Sequence, residues 1–200
     1  MPLKINFIIC LLFTFGFSQI QDSLYNELPI SKKLLWGKNG LIRKMDLAPK
    51  TKSAELKLRH KMLKTHQQLG LLTLGMMSYQ NYLGNQLYEG KSIDSRTHRI
   101  LGYSTFATYL TTASLSIGAP PAFRYSKGVS SIKIHRYLSY IHFAGMLAMP
   151  YLGYLSAGNL DYAENGIEYN YSNKALKAHR SIGNITFYSF SLAFMATLLP

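Results

Sequence analysis

"THRILGYSTF", residues 97–106, returns eighty-one positions later as "AHRSIGNITF", residues 178–187, with His, Arg, Gly, Thr and Phe in the same places. Two looser copies, "THQQLGLLTL" from residue 65 and "IHRYLSYIHF" from residue 134, align on the same His. Three residues after each His stands Leu or Ile, and four residues after it stands Gly70, Gly102, Ser139 or Gly183. Thr73, Thr105, His142 or Thr186 follows seven residues after. On a helix these positions lie within about 40° of the His, so each copy carries one stripe of imidazole, small residue and polar group.

The copies fall into two kinds. "YLG" closes sixteen-residue steps from both His66 and His135, at 82–84 and 151–153, whereas His98 and His179 share the fuller string. The chain therefore reads as a duplicated helical hairpin. In an up-down bundle His66 and His135 would share one end, and His98 and His179 the other.

Charge sets the environment expected for these helices. Of the 200 residues 16% are charged and 48% apolar, and no Asp, Glu, Lys or Arg occurs in 65–88, 100–123, 137–160 or 181–200. A layer about 30 Å thick takes roughly 20 helical residues, so each window is long enough to cross it. The expected fold is an all-α membrane protein, a four-transmembrane-helix up-down bundle. His66, Gln67, Gln68, Gln80, Asn81, Thr111, Thr112 and Asn184 would then need partners inside it.

Residues 1–18 read as a cleaved signal peptide, with Lys4 before an apolar run and Gly16 and Ser18 at its close. The single cysteine, Cys10, lies in this leader, so the mature chain would carry no disulfide and no covalent haem attachment. The expected location is an integral position in a bacterial inner membrane, with the mature N-terminus outside the cytoplasm. Residues 19–59 form a basic, membrane-proximal segment, and eleven of the 22 Lys and Arg residues fall between 19 and 64. Its "LLWGKNGLIRKM", residues 34–45, mixes Trp36 and aliphatics with cations, as a segment on anionic lipid would. Nucleic acid is set aside because no recognition fold accompanies the charge.

Residues 60–200 hold the candidate site. Imidazoles offered from non-adjacent helices suit axial ligation of haem iron, which makes His66, His98, His135 and His179 candidate iron ligands. Gly70, Gly102, Ser139 and Gly183 would leave room for a flat macrocycle. Arg99, Arg136 and Arg180 each follow a His near an expected helix N-terminus, where the helix dipole disfavours a cation, so haem propionate or lipid phosphate would sit opposite. His142 is open to three roles: substitute ligand, partner of a buried acceptor, or proton carrier. His60 reads as a surface residue, and Met76, Met77, Met146 and Met149 as gap fillers.

The string His98-Arg99-x-Leu101-Gly102-x-x-x-Phe106 is similar to the helix opening of the cytochrome b561 family. Over residues 60–200 that resemblance implies four core helices with one His each and two non-covalent b haems. His66 would pair with His135, and His98 with His179. The chain departs from the family in having four candidate spans rather than six and no clear ascorbate-binding signature. The expected function is transmembrane electron transfer through two bis-His haems, with a redox partner protein or quinone and a possible homodimer. A haem-free membrane subunit or scaffold, and a haem-dependent ferric or quinone reductase, are the alternatives.

Overall fold

The computed structural model describes residues 28–92, 94–122, 130–157, 160–163, 166–169 and 173–198, so the leader with Cys10 lies outside the described residues. Two short helices, α1 (Ile30–Trp36) and α2 (Leu41–Lys44), precede four long ones. These are α3 (Lys52–Tyr88), α4 (Ser95–Gly118), α5 (Ser131–Ala157) and α6 (Asn173–Ala196). Between α5 and α6, β1 (Leu160–Ala163) pairs antiparallel with β2 (Gly166–Tyr169), Leu160 opposite Tyr169 and Ala163 opposite Gly166.

Local chemistry sets the helix ends. Thr51 Oγ1 accepts the Ala54 N–H at the start of α3, and Asp94 Oδ1 accepts the Arg96 N–H at the start of α4. Ser130 Oγ accepts from Lys133 at the start of α5. Short side-chain acceptors of this kind satisfy amides that have no partner in the first helical turn. At the end of α3, Gly90 has φ 73°, its N–H donates to Leu87 O, and Lys91 N–H donates to Gln86 O. This is a Schellman closure, and it needs a residue tolerant of the left-handed conformation. The helix α5 continues through Pro150.

The membrane reading is overturned. Among the described residues no helix is long and apolar enough to cross a membrane. The charge-free windows lack charge without being apolar, because Gln, Asn, Ser, Thr, Gly and His stand among their Leu, Met and Tyr. The expectations of a transmembrane bundle and of an integral inner-membrane location are corrected on this ground. The helices also begin before the windows, so His66 lies in the middle of α3, not at its start.

The chain forms two compact units, Met1–Gln67 with Thr112–Lys127, and Gln68–Thr111 with Gly128–Pro200. In the first, the basic segment folds onto the last turn of α4. Lys32, 8% exposed, donates from Nζ to the carbonyls of Ser116, Ile117 and Ala119. Trp36 Nε1 donates to Gly118 O at 2.9 Å, and Arg59 to Pro120 O at 2.6 Å. The carbonyls at a helix C-terminus lack intrahelical donors and carry the negative end of the dipole, which explains why cations gather there. Arg43 and Lys52 close on buried Glu55 at 2.7 and 2.8 Å. Burial alone would raise the Glu55 carboxyl, but Lys52 and Arg43 together hold it below the usual range.

The second unit brings together α3 from Gln68, α4 to Thr111, α5 and α6. Its core layer sits at the position seven residues after each His. Thr73, Thr105 and Thr186 are 0%, 3% and 1% exposed, and each hydroxyl donates to the carbonyl four residues back, Leu69, Leu101 or Ile182. A buried hydroxyl satisfied by its own helix asks nothing of a neighbour. Met77 and Met146 lie buried beside this layer.

Candidate functional site: a pair of imidazoles in a duplicated frame

Contacts repeat across the duplication with two constant offsets, 69 residues for α3 onto α5 and 81 for α4 onto α6. His66 Nδ1 donates to Thr112 O at 2.8 Å, and His135 Nδ1 donates to Ala193 O at 2.8 Å. A Cβ on Gly84 would stand 3.1 Å from His98 Cε1, and a Cβ on Gly153 would stand 3.4 Å from His179 Cε1. On Gly102 a Cβ would stand 3.0 Å from Gln80 Nε2, and on Gly183 it would stand 3.2 Å from Met149 Cε. Each second contact follows from the first by adding 69 and 81 to its residue numbers. These three contacts of the first hairpin therefore recur in the second.

The four candidate histidines divide into two kinds. In His66 and His135 the Nδ1–H is committed to a carbonyl of the neighbouring helix, which fixes the tautomer. They belong to different units. His98 and His179 belong to one unit and face each other, with ring centroids 6.3 Å apart and planes inclined at 71°. Both are half-buried, and among the described residues the Nδ1 of each is shut off from solvent with no hydrogen-bond partner.

Burial, and then the facing His179, push His98 down to about 4, so its ring is neutral at physiological pH. Burial lowers His179 as well, with the Met149 carbonyl partly opposing. Gln80 lies over His98. Its Nε2 donates to His98 O at 3.0 Å and stands 3.2 Å from His98 Nε2, while its Oε1 is buried without a partner. A neutral imidazole can accept a hydrogen bond or ligate a metal, and neutrality is what ligation requires.

The remaining expected site residues are placed as follows. Gly102 and Gly183 lie one turn beyond the facing pair, covered by the flexible ends of Gln80 and Met149. Gly70 has open space at its Cβ position, and Ser139 Oγ donates to Arg136 O at 2.7 Å. Arg99 is exposed and Arg136 half-buried. The Arg180 guanidinium lies over the Tyr88 ring, 3.9 Å from its centroid, so an aromatic face takes the place expected for an anion. His142 lies against a phenol. Its Nδ1 stands 2.7 Å from the hydroxyl of Tyr109, which makes it the partner of a buried polar group.

The expectation of a metal-binding membrane protein is corrected. Among the described residues no group of three or more His, Cys, Asp or Glu side chains could hold a metal ion. With no spanning helix either, the metal-binding membrane cytochrome with a haem at each face falls. The residues that sequence reasoning missed are Gln80, Met149, Gly84 and Gly153. The two glycines end the repeated "YLG", and that echo is the signal that marks them.

No protein-family profile, curated protein or solved structure matches the chain.

Proposed function

We propose that the chain is a one-electron carrier whose second unit takes a single b-type haem between His98 and His179. The observation that carries this reading is the spacing of the two rings. Two metal–nitrogen bonds of about 2 Å, with the radii of two five-membered rings, separate imidazole centroids around one metal by roughly 6 Å. The rings stand 6.3 Å apart. A b-type haem would ask only these two ligands of the protein, and both rings are neutral at physiological pH.

The chain's own residues then have distinct tasks. His98 and His179 would hold the iron, and Gly102 and Gly183, covered by the flexible ends of Gln80 and Met149, would leave room beside it. Gln80 Oε1 and the His98 Nδ1–H are an acceptor and a donor, both without partners. If the amide turns to join them, Nε2 of His98 is released for ligation, and the ring is oriented from its far side. Haem held by these two residues would supply an Fe(III)/Fe(II) couple suited to electron transfer. The likeness of the His98-Arg99 string to cytochrome b561 helices supports the same reading. A redox protein or quinone is the proposed exchange partner. The exposed Lys33, Lys38, Lys44 and Lys50 would draw an acidic or anionic one.

The test is titration of the purified chain with ferric haem, followed by visible absorption and electron paramagnetic resonance. A saturable low-spin bis-imidazole spectrum is the expected result. Spectra that remain those of free or high-spin haem would remove the proposal.

A further inference from the structure

The duplication fails in one core layer at two places, and the two departures touch. Seven residues after the His, three helices carry Thr73, Thr105 and Thr186, while α5 carries His142. Eleven residues after the His, α6 carries Phe190 where α4 carries Tyr109, its equivalent at offset 81. Tyr109 is 2% exposed and His142 6%, and the phenol oxygen lies 2.7 Å from His142 Nδ1. The rings meet edge to face at 5.6 Å, and Phe190 packs on both, 5.0 Å from His142 and 6.1 Å from Tyr109. Phe143 lies 6.3 Å from Tyr109. A hydroxyl at position 142 would have bonded to its own helix as the three threonines do. An imidazole instead reaches across to another helix and fixes one phenol.

From this geometry we infer that Tyr109 and His142 form a buried proton-coupled redox pair, a site distinct from the facing histidines. Burial pushes the Tyr109 phenol well above its ordinary range, so it enters the reaction protonated. An outer-sphere one-electron oxidant of the metal(III) polypyridyl class takes an electron from the ring of Tyr109 and is itself reduced to metal(II). The O–H bond breaks and an Nδ1–H bond forms on His142, leaving a neutral tyrosyl radical beside an imidazolium. The reverse transfer, with one electron from a donor, restores both groups. The proton moves only along the existing hydrogen bond. The aromatic shell of Phe143 and Phe190 keeps water from quenching the radical. Because the proton leaves with the electron, the strongly acidic phenol radical cation is not formed as an intermediate. This pair needs no haem, so its fate is independent of the proposal above.

The experiment is flash photolysis of the full-length, haem-free chain with a photogenerated ruthenium(III) polypyridyl complex as oxidant, with the radical followed by transient absorption and freeze-quench electron paramagnetic resonance. The expected result is a long-lived, hydrogen-bonded tyrosyl signal that is lost in Tyr109→Phe. In His142→Phe its formation should slow by about 10²-fold, the usual contribution of a positioned base. Transfer in D₂O should also be slower in the unsubstituted chain, which tests the coupled proton without any substitution. An unchanged radical in Tyr109→Phe, or equal rates in D₂O and H₂O, would overturn the inference.

Discussion

Gly84 and His98 touch so closely that a Cβ on the glycine would come within 3.1 Å of the imidazole Cε1, and Gly153 stands in the same relation to His179 at 3.4 Å. The glycines are what let α3 and α5 approach the facing rings. Alanine at Gly84 should force the ring to move, and overpacking of this kind costs about 1–3 kcal/mol against a helix-propensity gain of about 1 kcal/mol. Gly75 has nothing within 4 Å of its Cβ position, so Gly75→Ala keeps only the gain. Urea denaturation should therefore give a lower midpoint for Gly84→Ala and a higher one for Gly75→Ala. The sharpest contrast is Gly145→Ala, whose Cβ would collide with the buried Thr186 side chain.

The facing histidines should make stability depend on pH. Unfolded imidazoles titrate near 6.5, whereas His98 is held at about 4 and His179 is also lowered. Below 6.5 the unfolded chain binds protons that the folded chain refuses. The stability contribution is thus complete above about 6.5 and is lost as pH falls toward about 4. For a half-buried pair, partly screened by solvent, the loss is on the order of 2 kcal/mol. Urea midpoints measured from pH 7 to pH 4.5 should fall across this window, and His98→Gln should flatten the slope.

Lys32 should matter more than a surface lysine. Its ammonium serves three carbonyls at the end of α4, and bonds to a charged donor contribute about 1.5–3 kcal/mol each at most. Lys32→Met keeps the aliphatic stem and strands those carbonyls, so it should lower unfolding free energy by about 2 kcal/mol or more. Lys33→Met, at an exposed neighbour, should change it by less than about 0.5 kcal/mol.

Much of the core frame is legible in the residues, and the reasons for the failures are physical. Aligning the chain on its histidines finds the four long helices, the Thr73, Thr105 and Thr186 layer and the His98 and His179 pair. The membrane reading fails because freedom from charge is not apolarity: Gln67, Gln68, Gln80 and Asn81 stand in one window. Helix starts were placed late because the caps Thr51, Asp94 and Ser130 sit in charged or loop-like sequence outside those windows. Lys32 reads only as one cation of a basic, membrane-proximal segment because its partners lie more than eighty residues away, beyond any local pattern. The strands β1 and β2 had a cue in Asn165-Gly166, a dipeptide favoured in hairpins, but lay between two strong helical patterns. Gln80 and Met149 look unrelated, and only the 69-residue offset reveals them as equivalents.

Haem stoichiometry in four single histidine variants tests the central claim most directly. Pyridine haemochrome assays on the purified, haem-saturated chain should give one b haem per chain in His66→Ala and His135→Ala, and near none in His98→Ala and His179→Ala. Circular dichroism should show all four folded. Equal haem content in His98→Ala and the unsubstituted chain, or no bound haem in any of them, would contradict the account.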